Sequence, residues 1–254
     1  MNDTTNDISR GLEAGVLRLG FDRPARKNAM TGAMYLALAE ALQQADADDA
    51  VRVVLIHGNE EAFCAGNDIG DFAAAAPSEG ERPSARFMKA LLRMGKPVVA
   101  AVNGPAVGIG ATMLLHCDLV YAGSTAKLVF PFAKLGLCPE FASTLLLPAK
   151  LGHQRAAALL MLGEPCTAQE AQALGLVNAV LPPAEVLPQA LKAAAQLAAT
   201  SAPSLRATKA LMRGEELAGY EARIAQENAQ FAQLLASPEA KAAFAAFLQR
   251  GKGG

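Results

Sequence analysis

The sequence predicts an α/β protein that ends in a helical region, because strand-like and helix-like segments alternate before helices take over. Residues 98–102 are an unbroken apolar run, as expected for a strand covered on both faces. Leu17, Leu19 and Phe21 instead recur at period two, the pattern of a half-buried strand. Strands separated by helices pair in parallel through right-handed crossovers, so we expect a mainly parallel sheet.

The remaining elements follow from local signals along the chain. Thr31 is a candidate N-cap for a helix that carries Met34, Leu38 and Leu42 along one side. Thr167 to Glu170 form a capping box that opens another helix. Further strands are predicted at residues 51–57, 118–122, 127–130 and 176–181, and further helices at 84–94, 144–151 and 154–162.

The C-terminal part of the chain is nearly all helical, with four helices expected between residues 184 and 250. The composition changes near Thr200. We therefore divide the chain into a core of residues 1–199 and a C-terminal helical region of residues 200–254, which we expect to act as a lid and in oligomerisation.

Residues 96–110 are the segment around which we expect the chain to be organised. A buried strand ends at the turn Asn103-Gly104-Pro105, and Gly108-Ile109-Gly110 then opens a short helix. The first N–H groups of a helix lack intrahelical partners and carry partial positive charge. Such a helix start suits an oxyanion that forms during a reaction.

Composition excludes several classes of function. The 254 residues include 23 Lys and Arg and 24 Asp and Glu, so the net charge of −1 gives no field that gathers nucleic acid. The four cysteines and three histidines lack metal-ligand or disulfide spacing, so we expect neither a metal site nor a disulfide framework. No leader or membrane-spanning segment is evident, and we expect a cytoplasmic protein without a membrane partner.

Several blocks, in this order and spacing, resemble the crotonase (enoyl-CoA hydratase/isomerase) superfamily: Arg23-Pro24, Asn28-Ala29-Met30, Phe63-Cys64-Ala65-Gly66-Asn67-Asp68, Ala100-Ala101-Val102-Asn103-Gly104, Cys117-Asp118 and Gly175-Leu176-Val177. The resemblance covers nearly the whole chain. It implies a spiral of strand-strand-helix (ββα) units with a helical C-terminal region, an acyl-CoA thioester as substrate, and assembly as a homotrimer or a dimer of trimers. It implies no separate cofactor, since coenzyme A is part of the substrate.

The resemblance also implies site residues. Two backbone N–H groups hold the thioester oxygen as it becomes an enolate, and by position these belong to Asn67 and Ile109. Glycine is common in the family where Ile109 stands. Substrate binding falls to Arg26 and Lys27, where the family meets the coenzyme A phosphates, and to Ala65, Asp68 and Ile69 in the adenine- and pantetheine-binding loop.

The chemistry implied is isomerisation rather than hydration. By position, the two glutamates of family hydratases are replaced here by Thr112 and Phe132, and the loss of both carboxyls argues against hydration of the usual kind, which needs one group to activate water and one to supply the alpha-carbon proton. The segment Cys138-Pro139-Glu140 is similar to the peroxisomal-type enoyl-CoA delta isomerases, in which a glutamate at the Glu140 position moves the proton. Apolar neighbours such as Phe132, Leu137 and Phe141 are expected to raise the pKa of Glu140.

Two alternatives stay open. The first is an enoyl-CoA hydratase or an acyl-CoA hydrolase in which Glu140 alone activates water. The second is a non-catalytic CoA-binding scaffold that kept the fold. A thiol mechanism through Cys64 is rejected, because no His or Asp pairs with Cys64 locally.

Overall fold

The computed structural model describes residues 3–5, 7–74, 81–214 and 216–250. The strands are β1 (Asp3–Thr5), β2 (Ile8–Glu13), β3 (Val16–Phe21), β4 (Val53–His57), β5 (Val98–Val102), β6 (Pro105–Val107), β7 (Leu119–Gly123), β8 (Lys127–Val129), β9 (Cys166–Thr167) and β10 (Ala179–Leu181). The helices are α1 (Gly32–Ala47), α2 (Ile69–Ala74), α3 (Pro83–Arg93), α4 (Ile109–Thr112), α5 (Ser143–Leu151), α6 (His153–Ala157), α7 (Ala168–Ala173), α8 (Pro183–Ala199), α9 (Ala202–Arg213), α10 (Glu216–Leu235) and α11 (Pro238–Arg250). The loop expected at residues 73–83 falls partly on residues 75–80, which lie outside the described ranges.

The main sheet has seven strands in the order β1-β2-β3-β4-β5-β7-β10. The pairs from β3 to β10 are parallel, which confirms the prediction of an α/β fold with a mainly parallel sheet. The edge made by β1, β2 and β3 is antiparallel, and β2 was not predicted. Only Ile8 and Leu12 are apolar in β2, so period two is absent from its sequence. Its hairpin turn is Ala14-Gly15, both at positive φ.

A second, three-stranded sheet has the order β6-β8-β9. Its first strand corrects the prediction for residues 96–110, where the turn after β5 was expected to lead directly into a helix. The chain instead forms β6, which pairs in parallel with β8, and only then enters α4. Three residues are too few for a periodic pattern, which is why the sequence did not reveal this strand.

The two faces of the main sheet bury two apolar layers. Val54 and Ile56 of β4 belong to the main core with α1 and α3, whereas Val53 and Leu55 face the opposite layer. That opposite layer is closed by α8, through Val186, Ala190 and Ala194. Because both faces are covered, residues 53–56 of β4 and 98–102 of β5 are all apolar, as the unbroken run of β5 predicted.

Side-chain caps fix two of the predicted helix starts. The hydroxyl of Thr31 accepts the N–H of Met34 at the start of α1. Thr167 and Glu170 form both halves of a capping box at the start of α7. From the C-terminal region, Phe231 and Ala240 reach the main core. The division of the chain at residue 199 stays a prediction.

The approach of α4 to the segment around Cys64 requires glycine at position 110. A Cβ on Gly110 would lie 2.6 Å from the carbonyl oxygen of Cys64 and 2.9 Å from its Cβ. Atoms do not approach so closely, so α4 or the Cys64 segment would have to shift.

We expect Gly110→Ala to lower the free energy of unfolding by about 1–3 kcal/mol, because an added methyl in a packed site forces such a shift. The matched control is Gly219→Ala in α10, where no atom lies within 4 Å of the new Cβ. That change should be neutral or stabilise by about 0.5–1 kcal/mol, the usual gain of Ala over Gly in a helix. Urea denaturation measures both, and equal effects would contradict the packing argument.

Candidate active site

The segment of residues 64–67 lies between the loop of residues 23–30 and strand β6. The N–H of Ala65 donates to the Lys27 carbonyl at 3.0 Å, and the N–H of Met30 donates to the Gly66 carbonyl at 2.8 Å. On the other side, the N–H of Val107 donates to the Cys64 carbonyl at 2.9 Å. The segment is thus hydrogen-bonded on both edges.

This pairing directs the N–H of Asn67. The peptide between Gly66 and Asn67 is trans, so its N–H points opposite to the Gly66 carbonyl, which Met30 occupies. Among the described residues, the N–H of Asn67 has no hydrogen-bond acceptor. A donor predicted from the family resemblance is therefore unpaired and fixed in direction by its neighbours.

The loop of residues 23–30 is held by the side chain of Asn28, to which the sequence analysis gave no role of its own. Asn28 is fully buried with φ of 58°, and its side-chain amide donates to the carbonyls of Ala62 and Phe63 at 2.9 and 3.2 Å. Its Oδ1 accepts the N–H of Arg23 at 3.0 Å. Asparagine tolerates left-handed backbone and here joins the two loops.

The second predicted donor lies at the start of α4. Gly108 is the N-cap with φ of 55° and ψ of −118°, and its carbonyl accepts the N–H groups of Ala111 and Thr112, each at 2.9 Å. The N–H of Ile109 therefore points back out of the helix, and no described residue accepts it. The Ile109 side chain is fully buried in the main core.

A cavity of about 370 Å³ lies beside these two peptide groups. Its wall includes three of the predicted residues, Ala65, Asn67 and Ile69, together with Gly108. The other wall residues are mostly apolar and come partly from the C-terminal helices: Gly66, Val107, Val129, Pro131, Phe132, Lys134, Leu135, Leu137, Phe231, Ala243 and Phe244. The cavity is thus a largely apolar site edged by backbone N–H groups, a common form of small-molecule site.

Glu140 is a buried carboxyl, only 5% exposed. Its Oε1 has no hydrogen-bond partner in the part of the chain that the structure describes. Burial, followed by the nearby charge of Glu227, raises the pKa of Glu140 to about 8. The predicted upward direction of this pKa is confirmed, and the group is well suited to exchange protons near neutral pH.

Tyr35 of α1 contacts the cavity residue Asn67 and lies within the influence of the Glu140 charge. Its hydroxyl donates to Oδ1 of Asn67 at 2.5 Å, and burial, followed by the charge of Glu140, raises the pKa of the Tyr35 hydroxyl. Glu140 is not among the described residues that line the cavity wall. The structure therefore places Asn67 in the cavity wall and the peptide of Ile109 next to the wall residue Gly108, whereas Glu140 lies outside the wall, near enough to Tyr35 for its charge to act on the hydroxyl.

The remaining predicted binding residues lie outside this cavity wall. Arg26 is 63% exposed at its side chain, and Lys27 is exposed with φ of 49°. Asp68 is buried and hydrogen-bonded to Arg23 at 2.7 Å, and it also accepts the N–H groups of Gly70 and Asp71.

The hydrogen bonds and ion pairs of Asp68 stabilise the local structure. Burial would raise the pKa of Asp68, but the hydrogen bonds from Arg23 and Asp71 and the charges of Arg23 and Arg26 lower it below its usual range. The side chain therefore stays ionised, anchors the loop and caps α2. A contact of Asp68 with substrate stays a prediction, as it does for Arg26 and Lys27.

Neither of the two positions that correspond to the glutamates of family hydratases carries a carboxyl in this chain. Phe132 lines the cavity wall, and Thr112 is fully buried with its hydroxyl donating to the Ile109 carbonyl at 3.4 Å. Burial raises the pKa of Cys64 to about 12, which keeps the thiol protonated and supports the rejection of a thiol mechanism.

Within the described ranges, no group of three or more His, Cys, Asp or Glu side chains could hold a metal ion. None of the described helices is long and apolar enough to cross a membrane.

A largely apolar cavity edged by two unpaired backbone N–H groups, with a buried carboxyl of raised pKa in its neighbourhood, suits proton transfer next to an activated carbonyl. Comparison with known proteins identifies the class. The family model for enoyl-CoA hydratase/isomerase matches residues 11–253, so the chain belongs to this family of enzymes. The predicted crotonase membership is confirmed.

Individual relatives differ in their named activities. The chain is 36% identical over 238 residues to the 2,3-dehydroadipyl-CoA hydratase of Escherichia coli, covering 92% of each protein. It is 36% identical over 210 residues to enoyl-CoA delta isomerase 2 of Rattus norvegicus, covering 80% of this chain and 54% of the rat protein. The solved structure of OdaA from Pseudomonas aeruginosa superposes with a TM-score of 0.93 at 49% identity, covering 96% and 99% of the two chains, which supports the crotonase-like fold.

The buried Glu140 makes a testable contribution to stability. The folded state binds the Glu140 proton more tightly than the unfolded state, because its pKa is about 8 instead of 4.5. The contribution of the protonated Glu140 to the free energy of unfolding is fully present below pH 4.5 and is lost as the pH rises through 8. We expect Glu140→Gln, which stays neutral, to become more stable than wild type over that window, by on the order of a few kcal/mol at pH 9.

Urea denaturation of both proteins at pH 5, 7 and 9 measures this difference. Glu60→Gln, on the exposed loop after β4, controls for the loss of one negative charge. A stability difference between Glu140→Gln and wild type that does not change with pH would contradict the assigned pKa.

Proposed function

We propose that the protein shifts the double bond of a 3-enoyl-CoA to give the 2-enoyl-CoA. The observation that carries this proposal is that Glu140 is a buried carboxyl whose pKa is raised to about 8 and whose Oε1 has no partner among the described residues, while Phe132 and the buried Thr112 occupy the positions of the hydratase glutamates. One carboxyl suffices for isomerisation, since the same group can remove a proton and return it at another carbon.

The proposed reaction begins when ionised Glu140 takes the proton from the alpha carbon of the thioester. The electron pair of that C–H bond moves into the thioester carbonyl, and a dienolate forms. The N–H groups of Asn67 and Ile109 donate to the thioester oxygen, whose negative charge develops in the transition state and is full in the dienolate. Glu140 then gives the same proton to the gamma carbon, and the double bond comes to lie between the alpha and beta carbons.

The environment supports each of these steps. The two N–H groups are held by surrounding hydrogen bonds, so they need no reorganisation when charge develops. The apolar wall of the cavity keeps water away from the dienolate, which weakens competing protonation by solvent. Burial makes Glu140 a stronger base than an exposed carboxylate once it has lost its proton.

A second candidate function is hydration, with Glu140 as the single group that activates water. It is favoured by the E. coli relative, which covers 92% of the chain and is named a hydratase. The apolar Phe132 in the cavity wall weighs against it, because water addition also needs a group that supplies the alpha-carbon proton.

We expect the wild-type protein to convert trans-3-hexenoyl-CoA into the conjugated thioester, whose ultraviolet absorbance measures the rate. We expect Glu140→Gln to lower kcat by about 10²- to 10⁴-fold, because the variant lacks the proton-transferring carboxyl. Glu60→Gln should retain wild-type activity. Water addition to crotonyl-CoA is measured alongside. Equal turnover by wild type and Glu140→Gln would remove Glu140 from the mechanism, and hydration without isomerisation would favour the hydratase.

The activity should also depend on pH in a defined direction. The base must be ionised, so we expect kcat/KM to rise about tenfold per pH unit at low pH and to level off near pH 8, the pKa of Glu140. A profile that is already flat from pH 5 would show that a group of ordinary carboxyl pKa acts instead.

A further inference from the structure

The turn that follows Glu140 has an unfavourable backbone conformation. Phe141 and Ala142 are consecutive residues at φ of 61° and 56°, in the left-handed region that side chains with a Cβ disfavour. Such residues persist where the surrounding structure holds them, and they are often found at functional sites. The groups that hold this turn therefore bear on where the Glu140 carboxyl lies.

Three side chains hold the turn. The hydroxyl of Ser143 donates to the Glu140 carbonyl at 2.7 Å, and Nε2 of His116 donates to the Phe141 carbonyl at 2.8 Å. The carboxylate of Glu227, on helix α10, accepts the N–H of Ala142 at 2.6 Å. Of these three, only Glu227 belongs to the C-terminal helical region.

Glu227 also caps helix α5, whose N-cap residue Ala142 has no side chain able to do so. Its Oε1 accepts both the N–H of Thr144 at 3.0 Å and the hydroxyl of Thr144 at 2.5 Å. Glu227 is only 5% exposed, so these hydrogen bonds lie in the protein interior and not at its surface. A carboxylate at a helix N-terminus is also favoured by the helix dipole.

We propose that Glu227 is a positioning residue for Glu140. It fixes the left-handed turn from the C-terminal helix and places a second buried negative charge beside the proton-transferring carboxyl. This inference rests on the proposed function. It implies that helix α10 must be packed in place for Glu140 to be positioned for proton transfer.

The two carboxyls are not equivalent. Burial raises the pKa of Glu227, but the hydrogen bonds from Thr144 and Ala142 and the charge of Arg223 oppose that rise. Glu140 instead has an oxygen without any donor among the described residues, and burial and the charge of Glu227 both raise its pKa. The titratable or charged groups facing this pair are Tyr35 of α1, Cys64, Cys138, His116 beneath Phe141, and Arg223 of α10.

Two substitutions separate charge from position. Glu227→Gln keeps the size and removes the charge, so the low-pH limb of kcat/KM should move to lower pH by about one unit, with kcat about ten- to a hundredfold lower. Glu227→Asp keeps the charge but shortens the reach to Ala142, so kcat should fall while the limb stays near its wild-type position. If Glu227→Gln does not fold, Glu227→Asp still tests the positioning.

The matched control is Glu221→Gln, on the same helix, where the exposed Glu221 pairs with Arg93 at 2.7 Å. This variant should leave kcat and the low-pH limb of the kcat/KM profile unchanged. A variant Glu227→Gln that behaves like Glu221→Gln would overturn the proposal, and so would a uniform loss of activity with an unmoved limb, which would assign Glu227 to folding alone.

Hydrogen exchange of the backbone amides gives a readout that does not need activity. Glu227→Gln should speed the exchange of the peptide that contains residues 142–144, because Glu227 accepts the N–H groups of Ala142 and Thr144. If wild type does not isomerise any 3-enoyl-CoA, the proposed function fails. Faster exchange in the variant would still support the hold of Glu227 on the turn, and unchanged exchange would overturn it.

Discussion

The site depends on the hydrogen bonds that hold residues 64–67 between two neighbouring segments. Because a trans peptide directs its N–H and C=O in opposite directions, the bond from Met30 to the Gly66 carbonyl determines where the N–H of Asn67 points. β6 holds the other edge, and β6 leads directly into Gly108 and the start of α4. One arrangement of backbone bonds thus orients both peptide groups at the cavity.

The second physical constraint is the burial of carboxyl groups. Taking a carboxylate out of water is costly, and a protein bears this cost where donors or function require it. Asp68 and Glu227 are buried with several donors each, whereas Glu140 is buried with one oxygen unsatisfied. This contrast separates the carboxylates that organise loops from the one whose proton is easily exchanged.

The sequence predicted those parts of the structure that leave a local pattern. The apolar run of β5, the Thr31 cap and the Thr167 capping box all correspond to observed elements. Strand β6 was missed because three residues carry no period, and β2 because Arg10 stands between Ile8 and Leu12 on its apolar face.

Tyr35 and Glu227 show why the site was predicted only in part. Both lie on helices whose sequence reveals which side is apolar but not what that side meets. Neither residue stands in a motif that would distinguish it from its neighbours in the sequence. Their contacts with Asn67 and Ala142 arise only from tertiary packing, whereas Glu140 could be named because the family resemblance carries its position.

The mostly apolar wall of the cavity is chemically separate from the donors that we assign to the reaction. Those donors are peptide groups, and a peptide N–H survives any substitution except proline. Phe132, Leu135 and Phe244, by contrast, contribute side chains to the cavity wall. In evolution or in directed engineering, acyl-chain preference can therefore diverge through these wall positions while the polar apparatus is inherited unchanged.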